Sequence, residues 1–364
     1  MKRFIDTLRN IWTIEELRQR IIVTLGLVLI YRLGSYVVLP GVNIDALNAA
    51  TSQNDNGGIV GLINMFAGGA FLRASIFGLG IMPYITASII IQLLGMAVPY
   101  FQKMQREGES GRKKINQYTR FLTIGVTAVQ APGYIASIKS SAPQAFTDLS
   151  TFWWIQSIFI LVTGTMFIMW LGERITDKGL GNGISLIIMI GIISRLPFAF
   201  LSEFKGRLSG NGGLIIFLIE LVILLLVIVG SILLVQGTRR IPVQFAKKIV
   251  GNKQYGGVRQ YIPLKVNAAG VMPIIFAQAI MFIPLAISGF QGSSGGIFSE
   301  RYGFWYNFIF AVLIILFTYF YTAIMVNPNQ LADDMKRNGG FIPGVKPGKK
   351  TAEFIDQVMS RITL

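Results

Sequence analysis

Two pairs of isoleucines, Ile81 with Ile85 and Ile184 with Ile188, sit four residues apart at the start of long apolar runs. In a helix such a pair faces one way. Branched aliphatic side chains around a constriction exclude water and ions yet yield to an extended polypeptide of any sequence, which is gating by dewetting rather than by reaction. Isoleucines that face lipid or pack between helices have the same spacing, so the pattern alone leaves both uses open. Covalent chemistry has little to work with. The chain has no His and no Cys, which excludes thiol nucleophiles, disulfides, Cys/His metal sites and Ser-His-Asp triads. No P-loop is present, and neither a cofactor nor a metal is expected.

Three further groups of residues have types that invite a use. Asn267, Ala268, Ala269, Gly270 and Pro273 open one apolar run, and Gly78, Gly80, Pro83 and Ser88 lie in another. Small residues let helices approach closely and prolines ease bending, so the two runs can form a seam that parts, with ordinary close packing as the alternative. Arg32, Arg195 and Glu220 lie inside apolar runs. A charge at the bilayer centre costs about 2.5–3.5 kcal/mol on insertion scales, so each should face protein or sit near a helix end, with a structural role preferred over a proton relay. Exposed basic clusters occur at Arg112 to Lys114, Arg239-Arg240, Lys247-Lys248, Arg259 and Lys346 to Lys350. They serve orientation and contact with anionic lipid, or they form docking surfaces.

The elements that must position these residues follow from hydropathy. An apolar fraction of 52%, a charged fraction of 14% and a mean hydropathy of +0.58 describe a polytopic helical membrane protein. The first twenty residues are basic and amphipathic, with Arg18 and Arg20 beside the first apolar run, so a surface segment is expected and no cleavable signal peptide. Spans are expected over 21–39, 75–100, 117–138, 152–171, about 179–198, 212–236, 266–288 and 304–326, each long enough at about 1.5 Å per residue. Residues 57–74 are apolar but short and broken by glycines. They predict a re-entrant segment covered by protein or lining a cavity, against the alternative of an external loop with an interfacial helix. A small hairpin with a turn at Gly256-Gly257 is expected between spans six and seven, and the tail from Asn327 reads as polar. With both ends inside, 26 of the 33 Lys and Arg residues fall on the cytoplasmic side, as the positive-inside rule requires.

The run NMFAGGAFLRASIFGLGIMPYITASIIIQLL resembles the SecY family, the channel-forming subunits of the bacterial general secretion translocon. So do GESGRKKINQYTR, VTGTMFIMWLGERITDKGLGNGIS, PLKVNAAGVMPIIFA and FIPGVKPGKKTAEFIDQVMSRITL. The resemblance implies an all-α polytopic fold of ten helices in two five-helix halves related as inverted repeats, with a short re-entrant plug helix. The chain stops after MSRITL, where the ninth helix would begin. Eight transmembrane helices are therefore expected: a first half over residues 1–205 with its plug at about 57–74, and a second half over 206–364 with three helices and basic loops at 237–265 and 327–364.

By the same resemblance Ile81, Ile85, Ile184, Ile188 and Ile275 form the pore ring, and Gly61, Asn64, Met65, Phe66, Gly68 and Gly69 belong to the plug. Pro83, Ser88 and Gln92 would face Asn267, Gly270 and Pro273 across a lateral gate for signal sequences. Arg239, Arg240, Lys247, Lys248, Arg259 and Lys346 would dock the motor ATPase SecA or the ribosome. Lys346 stands where the family typically has Arg, so it keeps the charge without the bidentate fork. SecE and SecG are the implied partner subunits. The implied place is the bacterial cytoplasmic membrane with the N-terminus inside, and the implied function is conduction of unfolded polypeptide with sideways release of apolar helices, without enzymatic activity. A secondary transporter, which also uses inverted repeats and broken helices, is the alternative; a membrane-embedded protease is disfavoured by the absence of His and of paired intramembrane Asp.

Overall fold

The structure is a computed structural model and describes residues 12–53, 64–146, 150–208, 213–245, 248–250, 253–255, 259–274, 276–278, 280–281, 303–325 and 327–363. The chain divides into two compact units, residues 1–202 with 278–308, and residues 203–277 with 309–364.

In the first unit the described helices are α1 (Glu15–Gly34), α2 (Ile44–Gln53), α3 (Met82–Ala97), α4 (Pro99–Arg106), α5 (Glu109–Ser141), α6 (Thr151–Lys178) and α7 (Gly183–Ile193). The core is α5 and α6. Helix α5 packs on α3 and α6, and α6 packs on α1 and α7. On α5 a buried stripe runs Thr119, Thr123, Thr127, Ala131 and Ile135, four residues apart. Each threonine hydroxyl donates to the carbonyl four residues back, at 2.6–2.9 Å. The stripe is therefore thin and without free polar groups, as close packing in an apolar medium needs. On α6, Gly164 and Gly172 serve the same end. A Cβ on Gly164 would stand 2.2 Å from the Ile76 carbonyl oxygen, and one on Gly183 would stand 2.1 Å from that of Gly172. Side-chain caps start two of these helices: Ser150 accepts from the Trp153 amide, and Asn182 accepts from the amides of Ile184 and Ser185, satisfying donors a helix start leaves open.

The second apolar run departs from the sequence expectation. Instead of one helix over 75–100, residues 67–81 form consecutive turns and α3 begins only at Met82. The backbone groups explain it. Leu39 N–H donates to the Ala74 carbonyl at 2.8 Å and Ile76 N–H to that of Val37 at 2.9 Å, so this stretch pairs with the end of the first span. Ser75 Oγ donates to the Gly34 carbonyl at 3.0 Å and accepts from the Phe77 amide. Pro83, which lacks an N–H, then sits in the first turn of α3, where none is missed. At the other end Val98 is extended before Pro99, as the residue before proline prefers, and the α3–α4 pair bends by 101°.

Among the described residues, five helices or continuous helix pairs are long and apolar enough to cross a membrane, and six if the bent α3–α4 pair counts as one span. Helix α1 keeps the first expected span but carries Arg18, Arg20 and Arg32, and the seventh span is described over 266–274, 276–278 and 280–281.

Two later helices complete the apolar set, α8 (Leu196–Leu208) and α9 (Gly213–Gln236). Helix α9 buries none of its residues. Being apolar all round, it belongs in lipid or against other helices. Its one charge, Glu220, accepts from Arg207 Nη2, and Arg207 Nε also reaches Glu203 at 2.9 Å. The charge of Glu220 is thus answered by Arg207, from the neighbouring helix.

The second unit holds the strands β1 (Thr238–Phe245), β2 (Lys248–Val250), β3 (Lys253–Tyr255) and β4 (Arg259–Lys265), then α10 (Phe304–Met325), α11 (Pro328–Arg337), β5 (Gly340–Phe341) and α12 (Lys349–Thr363). Helix α10 runs from the first unit into this one. The hairpin is present and longer than expected: β1 pairs antiparallel with β4 from Thr238↔Lys265 to Gln244↔Arg259, and β2 pairs with β3. The Gly256-Gly257 turn lies outside the described residues. The tail is polar on average, as read, and it is also folded onto the hairpin. Strand β5 adds to the other edge of β1, through Gln244↔Phe341 and Phe245↔Gly340. Ile241, Val243 and Leu264 of the sheet then form one buried cluster with Met335, Ile342, Ile355 and Met359 of the tail.

Candidate functional site

The segment read as a plug is a folded turn inside the first unit. Asn64 is fully buried. Its Oδ1 accepts from the Leu72 amide at 3.1 Å and its carbonyl from the Gly69 amide at 2.7 Å, so one residue closes the turn at both ends. Gly68 and Gly69 have φ of +65° and +88°, a region that L side chains enter only at a cost. Three helices hold this turn. From α1, Arg32 Nη1 donates to the Gly68 carbonyl at 3.2 Å. From α5, the Tyr134 hydroxyl donates to the Phe71 carbonyl at 2.9 Å, and its ring meets Phe71 edge to face at 4.7 Å. From α7, Gly191 lies so close that a Cβ on Gly68 would stand 3.1 Å from its Cα. Met65 and Phe66 are half-buried, and Gly61 lies outside the described residues.

Of the expected ring, Ile81 caps the start of α3 and is 6% exposed. Ile85 follows one turn on, its amide bonded to the Ile81 carbonyl at 3.1 Å. Ile184 and Ile188 occupy the first turns of α7, and they and Ile85 are half-buried. Ile275 lies outside the described residues.

The expected gate residues fall on different units. On α3, Pro83 is buried and Gln92 Nε2 donates to Ser88 Oγ at 3.3 Å. In the second unit, Asn267 Oδ1 accepts from the Gly270 amide at 2.8 Å, Gly270 has a φ of +62°, and Pro273 is buried. A short turn therefore precedes the helical residues 272–274.

Arg239 and Arg240 stand exposed on β1, and Lys346 is exposed in the connection from β5 to α12, where its carbonyl accepts from Thr351 Oγ1 at 3.0 Å. Lys248 lies on β2 and Arg259 on β4; Lys247 is outside the described residues. Packing of the tail against the hairpin brings β1 and the Lys346 connection into one small domain.

Sequence reasoning marks the glycine turn but misses what holds it. Arg32 is visible only as a costly charge, Tyr134 and Gly191 carry no local signal, and all three act across more than thirty residues of chain. The tail did carry a signal: Leu331 with Met335, and Phe354, Ile355, Val358 and Met359, recur at helical spacing.

The apolar helices around a protein-covered glycine turn in the first unit, and the long apolar helices that follow, are those of a multi-pass membrane protein. The SecY family model matches residues 75–364, and the chain belongs to the SecY family. The protein translocase subunit SecY of Mycobacterium tuberculosis (strain ATCC 25618 / H37Rv) is 41% identical over 386 residues, covering 100% of this chain and 86% of the relative. That of Streptomyces scabiei is 42% identical over 365 residues, covering 96% and 83%. Among solved structures, one described as the structure of a protein conducting channel superposes with a TM-score of 0.65 at 17% identity, over 95% of this chain and 82% of that one. Sec61 in the canine ribosome–channel complex from the endoplasmic reticulum gives 0.61 at 17%, over 95% and 82%. At that identity these two speak for the fold.

Proposed function

We propose that the chain is the pore subunit of a protein translocase, conducting unfolded polypeptide across the bacterial cytoplasmic membrane and releasing apolar helices sideways. Protein translocation as a channel is the function its family membership gives, and the secondary-transporter alternative is not favoured. The observation that carries the finer reading is the plug turn, folded into the first unit and held by Arg32, Tyr134 and Gly191. Such a turn can leave its seat without unfolding the helices around it. Ile81, Ile85, Ile184, Ile188 and Ile275 make the gasket; Pro83, Ser88 and Gln92 face Asn267, Gly270 and Pro273 across the gate. The N-terminus and the basic domain lie on the cytoplasmic side, where Arg239, Arg240, Lys247, Lys248, Arg259 and Lys346 receive SecA or the ribosome. SecE and SecG complete the complex. The channel itself makes and breaks no covalent bond.

Replacing Ile81, Ile85, Ile184 and Ile188 together with Ser should wet the constriction. Planar-bilayer recordings of the reconstituted complex should then show resting ion currents at least tenfold above the parent; an unchanged current removes the pore assignment from these residues.

A further inference from the structure

The plug turn is ringed by positive charge that no described carboxylate answers. Arg32 of α1 and Arg73 both lie over the Tyr36 ring, their Cζ atoms 5.5 and 4.2 Å from its centroid. Residue 69 has no side chain, and the space where its Cβ would stand is 3.7 Å from Arg73 Cζ and 3.8 Å from Arg195 Nε. Two guanidinium groups therefore border one small volume, with the third bound to the carbonyl of the adjacent Gly68. Arg73 Nη1 is buried and has no hydrogen-bond partner among the described residues. None of the ion pairs among the described residues includes Arg32, Arg73 or Arg195. Arg32 is in the last turn of α1, and Arg195 follows the end of α7. A helix C-terminus offers about half a negative charge, so two of them leave most of three full charges uncompensated. Arg32 and Arg73 are half-buried and Arg195 is exposed at the edge of the cluster; like charges this close repel, and the unpaired buried donor of Arg73 is costly.

We infer that the arginine cluster at the plug turn is a binding site for a phosphate-type oxyanion. Guanidinium forks match the oxygens of such a group and tolerate partial burial better than an ammonium does. The free Nη1 of Arg73 supplies one donor and the Arg195 guanidinium a second, on either side of the position that a side chain at Gly69 would fill. Occupied, the site offsets the charge of the cluster and ties the plug turn, through Arg73, to the segment after α7, through Arg195. A phospholipid headgroup and free phosphate present the same chemistry, and only the test separates them.

The complete translocon complex, purified in a neutral detergent, is titrated calorimetrically with inorganic phosphate and separately with dioctanoyl phosphatidylglycerol; dioctanoyl phosphatidylcholine serves as control. Exposed basic residues elsewhere, such as Arg239 and Arg240, also attract anions, so the quantity read is the difference between the parent and R73Q/R195Q. The expected result is one high-affinity equivalent in the parent that weakens at least tenfold in the variant. R73K/R195K should fall between them, because lysine loses the fork. A difference with phosphatidylglycerol alone assigns a lipid headgroup, and a difference with both probes assigns a site open to free anions. Equal binding by parent and R73Q/R195Q for both probes overturns the site. Should the glutamine variant fail to assemble, parent-like affinity in R73K/R195K overturns it equally. Binding is read without transport, so this outcome is independent of the channel reading.

Discussion

At the scale of single residues, Gly68 is the most exposed to test. Its φ of +65° costs an L side chain about 1–2 kcal/mol, and its Cβ would stand 2.9 Å from Arg32 Nη1 and 3.1 Å from Gly191 Cα. Arg32 is the flexible neighbour and Gly191 the rigid one, so the turn itself must shift. Gly68→Ala should unseat the plug turn without unfolding α1 or α7, raising the resting current while the complex still assembles. Gly339 is a matched control: it also has a positive φ, +69°, but nothing lies within 4 Å of its Cβ position. Gly339→Ala should pay the same backbone strain and leave the current at the parent level. If both variants leak alike, or neither does, the seat at Gly68 is not what holds the seal.

At the scale of elements, two pairings matter. The first is the tail on the hairpin. Ile355 of α12 is 0% exposed and faces Ile241 and Val243 of β1 within one cluster. Truncating a fully buried Ile typically costs about 2–5 kcal/mol, more than a small sheet-and-helix domain can spare. Ile355→Ala should therefore loosen β1 and β4 as well as α12. Hydrogen exchange on the purified complex should show faster exchange at Ile241 and Ile262 amides and no change along α5; unaltered exchange in the strands would mean that the tail and hairpin are not one cooperative unit. The second pairing is the proposed gate between α3 and the turn before Pro273. The native chain has no Cys, so a Cys pair at Ser88 and Gly270 can be read without background. Oxidation should block export in membrane vesicles and reduction restore it, whereas full export with the crosslink complete would exclude this seam as the exit.

At the scale of the whole molecule, the question is what a net charge of +16 does. If it serves orientation alone, reversing Arg239, Arg240 and Lys346 to Glu leaves more than twenty basic residues on the proposed cytoplasmic side, and export should continue. If these residues dock a partner, the same change should leave assembly intact and reduce binding of the motor ATPase and of ribosomes at least tenfold. Packing of the tail on the hairpin favours docking, since β1 and the Lys346 connection then share one packed core. Charges at an interface rim act mainly on encounter and are screened over about 8–10 Å, so the parent's affinity should also fall with added salt. Parent-like affinity in the triple variant at both low and high salt would leave the basic residues with orientation alone.

What the amino-acid sequence determines by itself is set by properties that add up along the chain. Apolar run length places both ends of α9 and α10 to within a residue, the end of α5 and the start of α6 nearly as closely, because a helix satisfies its own backbone and needs no distant partner to form; α5 starts eight residues before its apolar run and α6 continues seven beyond its own. Glycines at 68 and 69 mark the plug turn, and the absence of His and Cys removes whole classes of chemistry. Tertiary structure alone decides where backbone groups find partners far away. Residues 75–81 are as apolar as the helix after them, yet they turn, because Val37 and Leu39 take up hydrogen bonds that a helix would have kept. The tail is polar on average, yet it folds, because one face of α11 and α12 meets a sheet made ninety residues earlier. Arg32, Arg73 and Arg195 come from three separate segments, and no run of sequence records that they converge on one glycine turn. Hydropathy is local and can be read from a run; the partner of a carbonyl or a guanidinium is a matter of three-dimensional neighbours.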